Sequence, residues 1–114
     1  MPTSQSMSRP EYVLEKIGGK WKMPILWRLS VNTIMRYSEL KRDISNITHK
    51  MLSQQLKELE QDGFILRTFY PQVPPKVEYS LTAKGELTLP AIRALCTLGT
   101  AMNDNAMPLP NADC

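Results

Sequence analysis

The chain has 114 residues, 42% of them hydrophobic and 22% charged, which are the proportions of one globular domain with a single modest core. A net charge of +3 and a pI near 9.0 admit nucleic acid as a partner without singling it out. Two cysteines, Cys96 and Cys114, and the lone His49 offer neither a disulfide framework nor metal-ligand spacing, so no metal or cofactor is expected.

The opening MPTSQSMS is polar and lacks the apolar centre of a signal peptide, and no apolar run approaches the roughly 18 residues of a membrane span. A cytoplasmic protein with no membrane partner is expected, with both thiols reduced. Residues 1 to 8 predict a disordered leader, 9 to 103 a folded domain, and 104 to 114 a flexible tail without periodicity. Pro10 suits the first turn of a short helix through Tyr12, Val13, Leu14 and Ile17, which Gly18 and Gly19 end. KWKMPILWRL then opens a second helix with Trp21, Ile25 and Leu29 on one face, widened by Leu26 and Trp27. Its apolar character marks it as the central core helix, and Pro24 is tolerated near its start. SVNT predicts a turn, and Ile34 to Tyr37 is too short for more than an edge strand.

Ser38 is the expected N-cap of a two-turn helix, SELKRDI, with Leu40 and Ile44 inward and Lys41 and Arg42 outward. After a turn at residues 45 to 47, THKMLSQQLKELEQDG predicts a helix of about four turns, with Thr48 as N-cap and Gly63 as its left-handed close. Leu52, Leu56 and Leu59 recur at i, i+4 and i+7 and commit one face to the core. The opposite face carries Lys50, Gln54, Lys57 and Gln61 beside Ser53, with His49 in the first turn. These side chains can donate hydrogen bonds to base edges or phosphates. The acidic Glu58, Glu60 and Asp62 gather in the C-terminal half, and from Arg36 to Lys57 five basic residues face two acidic ones. Taken alone, this helix is an ordinary amphipathic helix with a solvated face. Preceded by a short helix and a tight turn, it predicts helix-turn-helix, with Lys50 and Lys57 on phosphates, Ser53 and Gln54 at base edges, and His49 able to do either.

Beyond Gly63 the period changes to that of strands. FILRTFY and VEYSL predict a hairpin whose tip is stiffened by Pro71, Pro74 and Pro75, with Lys76 at its shoulder. Directly after such a helix, the hairpin is a candidate wing for flanking DNA, or otherwise a plain cover for the core. Thr82 caps an expected last helix from Ala83 to about Asn103, bent near Pro90. Its apolar face of Leu87, Ala91, Ala94, Leu95, Leu98 and Met102 exceeds what a small domain can cover, which predicts a second subunit unless the helix folds back onto its own domain. The expected fold class is mainly α with a small β-hairpin wing (α+β), a dimeric winged helix-turn-helix.

The stretches IGGKWK at 17 to 22, LSQQLKELEQDG at 52 to 63 and YPQVPPKVEYSLTAKG at 70 to 85 resemble, in order and spacing, those of the HxlR family of bacterial winged-helix transcriptional regulators, a MarR-like branch. The resemblance covers roughly residues 10 to 100. It implies a homodimer formed through the first and last helices, so that Tyr12, Val13, Leu95, Leu98 and Met102 lie at the interface. It also implies two recognition helices in successive major grooves of double-stranded DNA, with Ser38, Lys41, Arg42, Thr48, His49, Lys50, Ser53, Gln54, Lys57 and Lys76 as the DNA-facing set. Members that sense electrophiles have a cysteine just before the first helix. Here Met7 to Pro10 has none, so redox sensing is not carried over, and any small-molecule effector stays unidentified. Of the rival classes, a protein-interaction module would need an apolar or acidic exposed face on the third and fourth helices, where Lys41, Arg42, Lys50 and Lys57 stand instead. An enzyme would need paired carboxylates, a Ser/His/Asp arrangement or a phosphate loop, none of which this sequence assembles.

Overall fold

In the computed structural model, which describes residues 7–103, the chain is built around α2 (Lys22–Asn32). Ile25, Leu26 and Leu29 fall on one side of that helix and are at most 1% exposed. Each contributes about 1.5–3 kcal/mol of burial. Pro24 lies in the first turn, where a missing amide breaks no helical bond. The segment expected to turn after Leu29 is instead helical through Asn32. The Ser30 hydroxyl and the Asn32 amide donate to the Trp27 and Arg28 carbonyls of their own helix (2.6 and 3.0 Å). Thr33, at φ 69°, ends it.

Before α2 comes α1 (Arg9–Ile17), closed at its start by a reciprocal pair: Ser8 Oγ accepts from the Glu11 amide (3.3 Å) and Glu11 Oε1 accepts from the Ser8 amide (2.9 Å). The Ser8 amide, and after it the Ser8 side chain, hold the Glu11 carboxyl below the usual carboxylate range. The expected leader at 1–8 otherwise falls on residues outside those described, as does the tail at 104–114. Only Ile17 of α1 is buried, and Gly18 is required after it because a Cβ there would run into the Leu14 carbonyl.

Three strands follow the expected order. β1 (Ile34–Arg36) is an edge strand, and β2 (Ile65–Tyr70) and β3 (Lys76–Leu81) form the hairpin. The sheet is antiparallel in the order β1-β3-β2. Met35 and Tyr79 pair across it and are both buried, which pins the sheet to the core. Between β1 and β2 lie α3 (Tyr37–Asp43) and α4 (His49–Gln61). Leu40 and Ile44 point inward as expected, and Ile47, expected only as part of the turn, is a core residue. Asn46 takes the turn at φ 68°, a conformation that asparagine tolerates.

Ser38 is not the cap of α3. The N-cap falls two residues earlier, at Arg36, because Glu39 reaches back to accept from the Arg36 amide (2.7 Å) and replaces a capping side chain at that end.

The last helical stretch is two helices rather than one bent one: α5 (Ala83–Leu87) and α6 (Leu89–Met102). Pro90 has no amide for the Glu86 carbonyl four residues back, and its ring would crowd that oxygen, so the chain breaks at Thr88, whose hydroxyl donates to the Gly85 carbonyl (2.6 Å). Gly85 is buried against the turn between α4 and β2, where a Cβ would meet the Phe64 carbonyl. Ile92 is the buried residue of α6, with Leu89 and Cys96 packed beside it. The expectation of reduced thiols falls in part on Cys114, which lies outside the described residues. Among the described residues no helix is long and apolar enough to cross a membrane.

Candidate nucleic-acid interface

The stripe of Leu52, Leu56 and Leu59 is at most 2% exposed, so the rotation of α4 about its axis is set by the core. Both predicted ends hold. Thr48 Oγ1 accepts from the Met51 amide (3.1 Å), and Gly63 closes the helix at φ 81°. Lys84 of α5 adds a second closure, its ammonium donating to the Asp62 carbonyl (2.7 Å) at the negative end of the helix dipole. With that face fixed, His49, Lys50, Ser53, Gln54 and Lys57 are all exposed on the other side, and no acidic residue interrupts the run from His49 to Lys57.

Two groups from neighbouring elements hold this polar face. The Tyr37 hydroxyl, at the start of α3, donates to the His49 carbonyl (3.1 Å) and lies 3.1 Å from His49 Nδ1 and 3.2 Å from Ser53 Oγ. Its ring stacks on the imidazole at 5.8 Å and 11°. On the next turns, Lys22 Nζ of α2 lies 2.6 Å from Glu58 Oε1, and Gln54 Nε2 donates to Glu58 Oε2 at 2.6 Å. The Lys22 bond, followed by that of Gln54, holds the Glu58 carboxyl below the usual carboxylate range. Neither Tyr37, Lys22 nor Glu58 belongs to the set read from the sequence. Tyr37 is 12 and 16 positions from its partners and Lys22 is 36 from Glu58, separations at which no local pattern signals contact.

The remaining expected residues are distributed around this face. Ser38 and Arg42 are exposed on α3 and Lys41 is half-buried. Arg42 Nε lies 3.8 Å from Asp43 Oδ1, an exposed pair of small energetic weight. Lys76 is more engaged than the hairpin pattern suggests. Its ammonium lies 3.5 Å from Glu78 Oε2 and 4.5 Å from the centre of the Tyr70 ring, across the β2–β3 pair. Glu78 in turn, chiefly through its charge, holds the Tyr70 hydroxyl above the usual tyrosine range.

A model of the HxlR-like helix-turn-helix family matches residues 16–107. The chain is 54% identical over 94 residues to a helix-turn-helix-type transcriptional regulator of Halalkalibacterium halodurans, covering 82% of this chain and 83% of that one. Among solved structures it is similar to the helix-turn-helix-type transcriptional regulator YtcD, with a TM-score of 0.78 and 52% identity over 83% of this chain and 96% of that one. The redox regulator HypR in its reduced form superposes with a TM-score of 0.80 and 41% identity, covering 85% of this chain and 95% of the other.

Proposed function

The chain belongs to the HxlR-like helix-turn-helix family of transcriptional regulators, and we propose that it acts in the cytoplasm as a homodimer that binds an inverted-repeat operator in double-stranded DNA. In this reading α4 enters the major groove. Lys50 and Lys57 contact phosphates, Ser53 and Gln54 meet base edges, and His49 does either, while Ser38, Lys41, Arg42 and the Thr48 turn lie along the backbone. The hairpin tip at 71 to 75 and Lys76 lie on flanking DNA. The observation that carries the reading is the exposed polar run from His49 to Lys57, which contains no acidic residue and is held in one orientation by three buried leucines.

A second copy is supported by apolar surface that the single chain leaves uncovered. Tyr12 and Val13 of α1 and Leu95, Leu98 and Met102 of α6 are all more than 40% exposed. Apolar surface left uncovered on a monomer favours association. A two-fold axis through α1 and α6 would bury it and set two copies of α4 about 34–36 Å apart, one turn of DNA. Selection of bound duplexes from a random pool with the purified protein tests the reading directly. It is expected to return an inverted repeat with half-sites about 10–10.5 base pairs apart. A pool that shows no enrichment would overturn it.

A further inference from the structure

Lys22 closes the IGGKWK motif, yet the DNA-facing set makes no use of it. It rises from the core helix α2, its side chain is 12% exposed, and its ammonium is bonded to Glu58. Glu58 spends its second oxygen on Gln54. A carboxylate only accepts, so the amide nitrogen of Gln54 must be the end that faces it, and the orientation of that amide is settled by chemistry. Gln54 is left with one N–H and its Oε1 for another partner, the donor and acceptor that a glutamine offers to an adenine edge. An exposed Gln–Glu pair four residues apart is weak by itself, because both long side chains lose rotamer freedom to make it. Lys22 changes that. Its backbone is anchored by Ile25 and Leu26, and by holding one carboxylate oxygen it keeps Glu58 from swinging away.

We propose that Lys22 and Glu58 are positioning residues for base readout: α2 clamps Glu58, and Glu58 presents the Gln54 amide to the base edge in one fixed orientation. The proposal rests on the reading that Gln54 meets a base. The alternative roles for the same bonds are a plain strap between α2 and α4, or a phosphate contact by Lys22. A strap would alter stability and all base positions together, whereas a phosphate contact would alter all sequences alike.

The test is to measure the binding of operator variants, each changed at one base pair, to the wild-type chain and to Gln54→Ala, Lys22→Met, Lys22→Arg and Glu58→Gln. Gln54→Ala is expected to reduce discrimination at one base pair by about tenfold or more. Lys22→Met should reduce it at that same pair by about three- to tenfold, spare the other positions, and add nothing in the Gln54→Ala background, as coupled neighbours do. Lys22→Arg should restore it. Glu58→Gln leaves one acceptor oxygen for two donors and should give the same single-position loss, which covers the case in which Lys22→Met fails to fold. The proposal is overturned if Lys22→Met weakens all positions equally, flattens the salt dependence on random DNA, or leaves the profile unchanged. An unchanged profile for Gln54→Ala would instead remove the base contact itself.

Discussion

In α4 the stripe of Leu52, Leu56 and Leu59 is at most 2% exposed, whereas in α6 Leu95, Leu98 and Met102 are 46, 51 and 68% exposed. Both helices carry apolar residues at helical spacing, and both are framed by polar segments. The first spends its apolar side within its own chain and leaves a polar face outward. The second buries Ile92 and leaves most of its apolar side outward. An apolar stripe therefore does not by itself say whether its own chain buries it. The balance is decided by how much core the rest of the domain has left to cover. In the proposed function α4 meets DNA with its uncommitted side, and α6 meets a second copy.

Substitutions in the two stripes should therefore fail in different ways. The largest effect is expected from Leu98→Asp, since a two-fold interface would receive the charge twice, at a cost on the order of several kcal/mol for each unpaired carboxylate. Sedimentation should report half the wild-type mass and gel shift should show loss of operator binding in the same sample, with the fold retained. Leu56→Ala should instead lower the stability of the domain itself by about 2–5 kcal/mol, seen as an earlier denaturant midpoint, because it empties a site in the shared core. On the polar side, Gln54→Ala should cost about 1–3 kcal/mol of discrimination at one base pair and leave both folding and mass unchanged. Lys57→Ala should weaken specific and random DNA about equally and reduce the slope of log K against log salt by about 0.9 for each half-site.

The smallest effect concerns acid. The Glu58 carboxyl is held below its ordinary 4.5 by Lys22 and then Gln54, so its bonds add stability above that pH and lose it as the pH falls through the lower folded value. Lys22→Met should flatten the decline in stability below about pH 4.5, as read by denaturation at a series of pH values.

How much of this was legible in the sequence depended on the range over which each feature is determined. Thr48, the leucine spacing and Gly63 fix α4 within four turns, and the β-branched and aromatic runs FILRTFY and VEYSL on either side of a proline-rich tip fix the hairpin, so these elements stand where the local pattern puts them. Features decided by competition between neighbours were not visible in this way. Glu39 capping from inside the helix moved the N-cap of α3 from Ser38 to Arg36, and α2 continues through Asn32 where a turn was expected. At Pro90 the residue was recognised but its consequence was not: a carbonyl without its amide produced a break rather than a bend. The links furthest from legibility were Tyr37 to His49 and Ser53, and Lys22 through Glu58 to Gln54, since only the packing of α2 and α3 against α4 brings those groups together.

The most direct measurement of the central claim is hydroxyl-radical footprinting of the wild-type dimer on the selected operator, run beside Leu98→Asp. Two protected stretches related by a two-fold axis are expected, with centres about 10–10.5 base pairs apart, and no protection by the variant at the same concentration. Full two-stretch protection by a monomeric Leu98→Asp protein, or a single asymmetric stretch with the wild type, would contradict that claim.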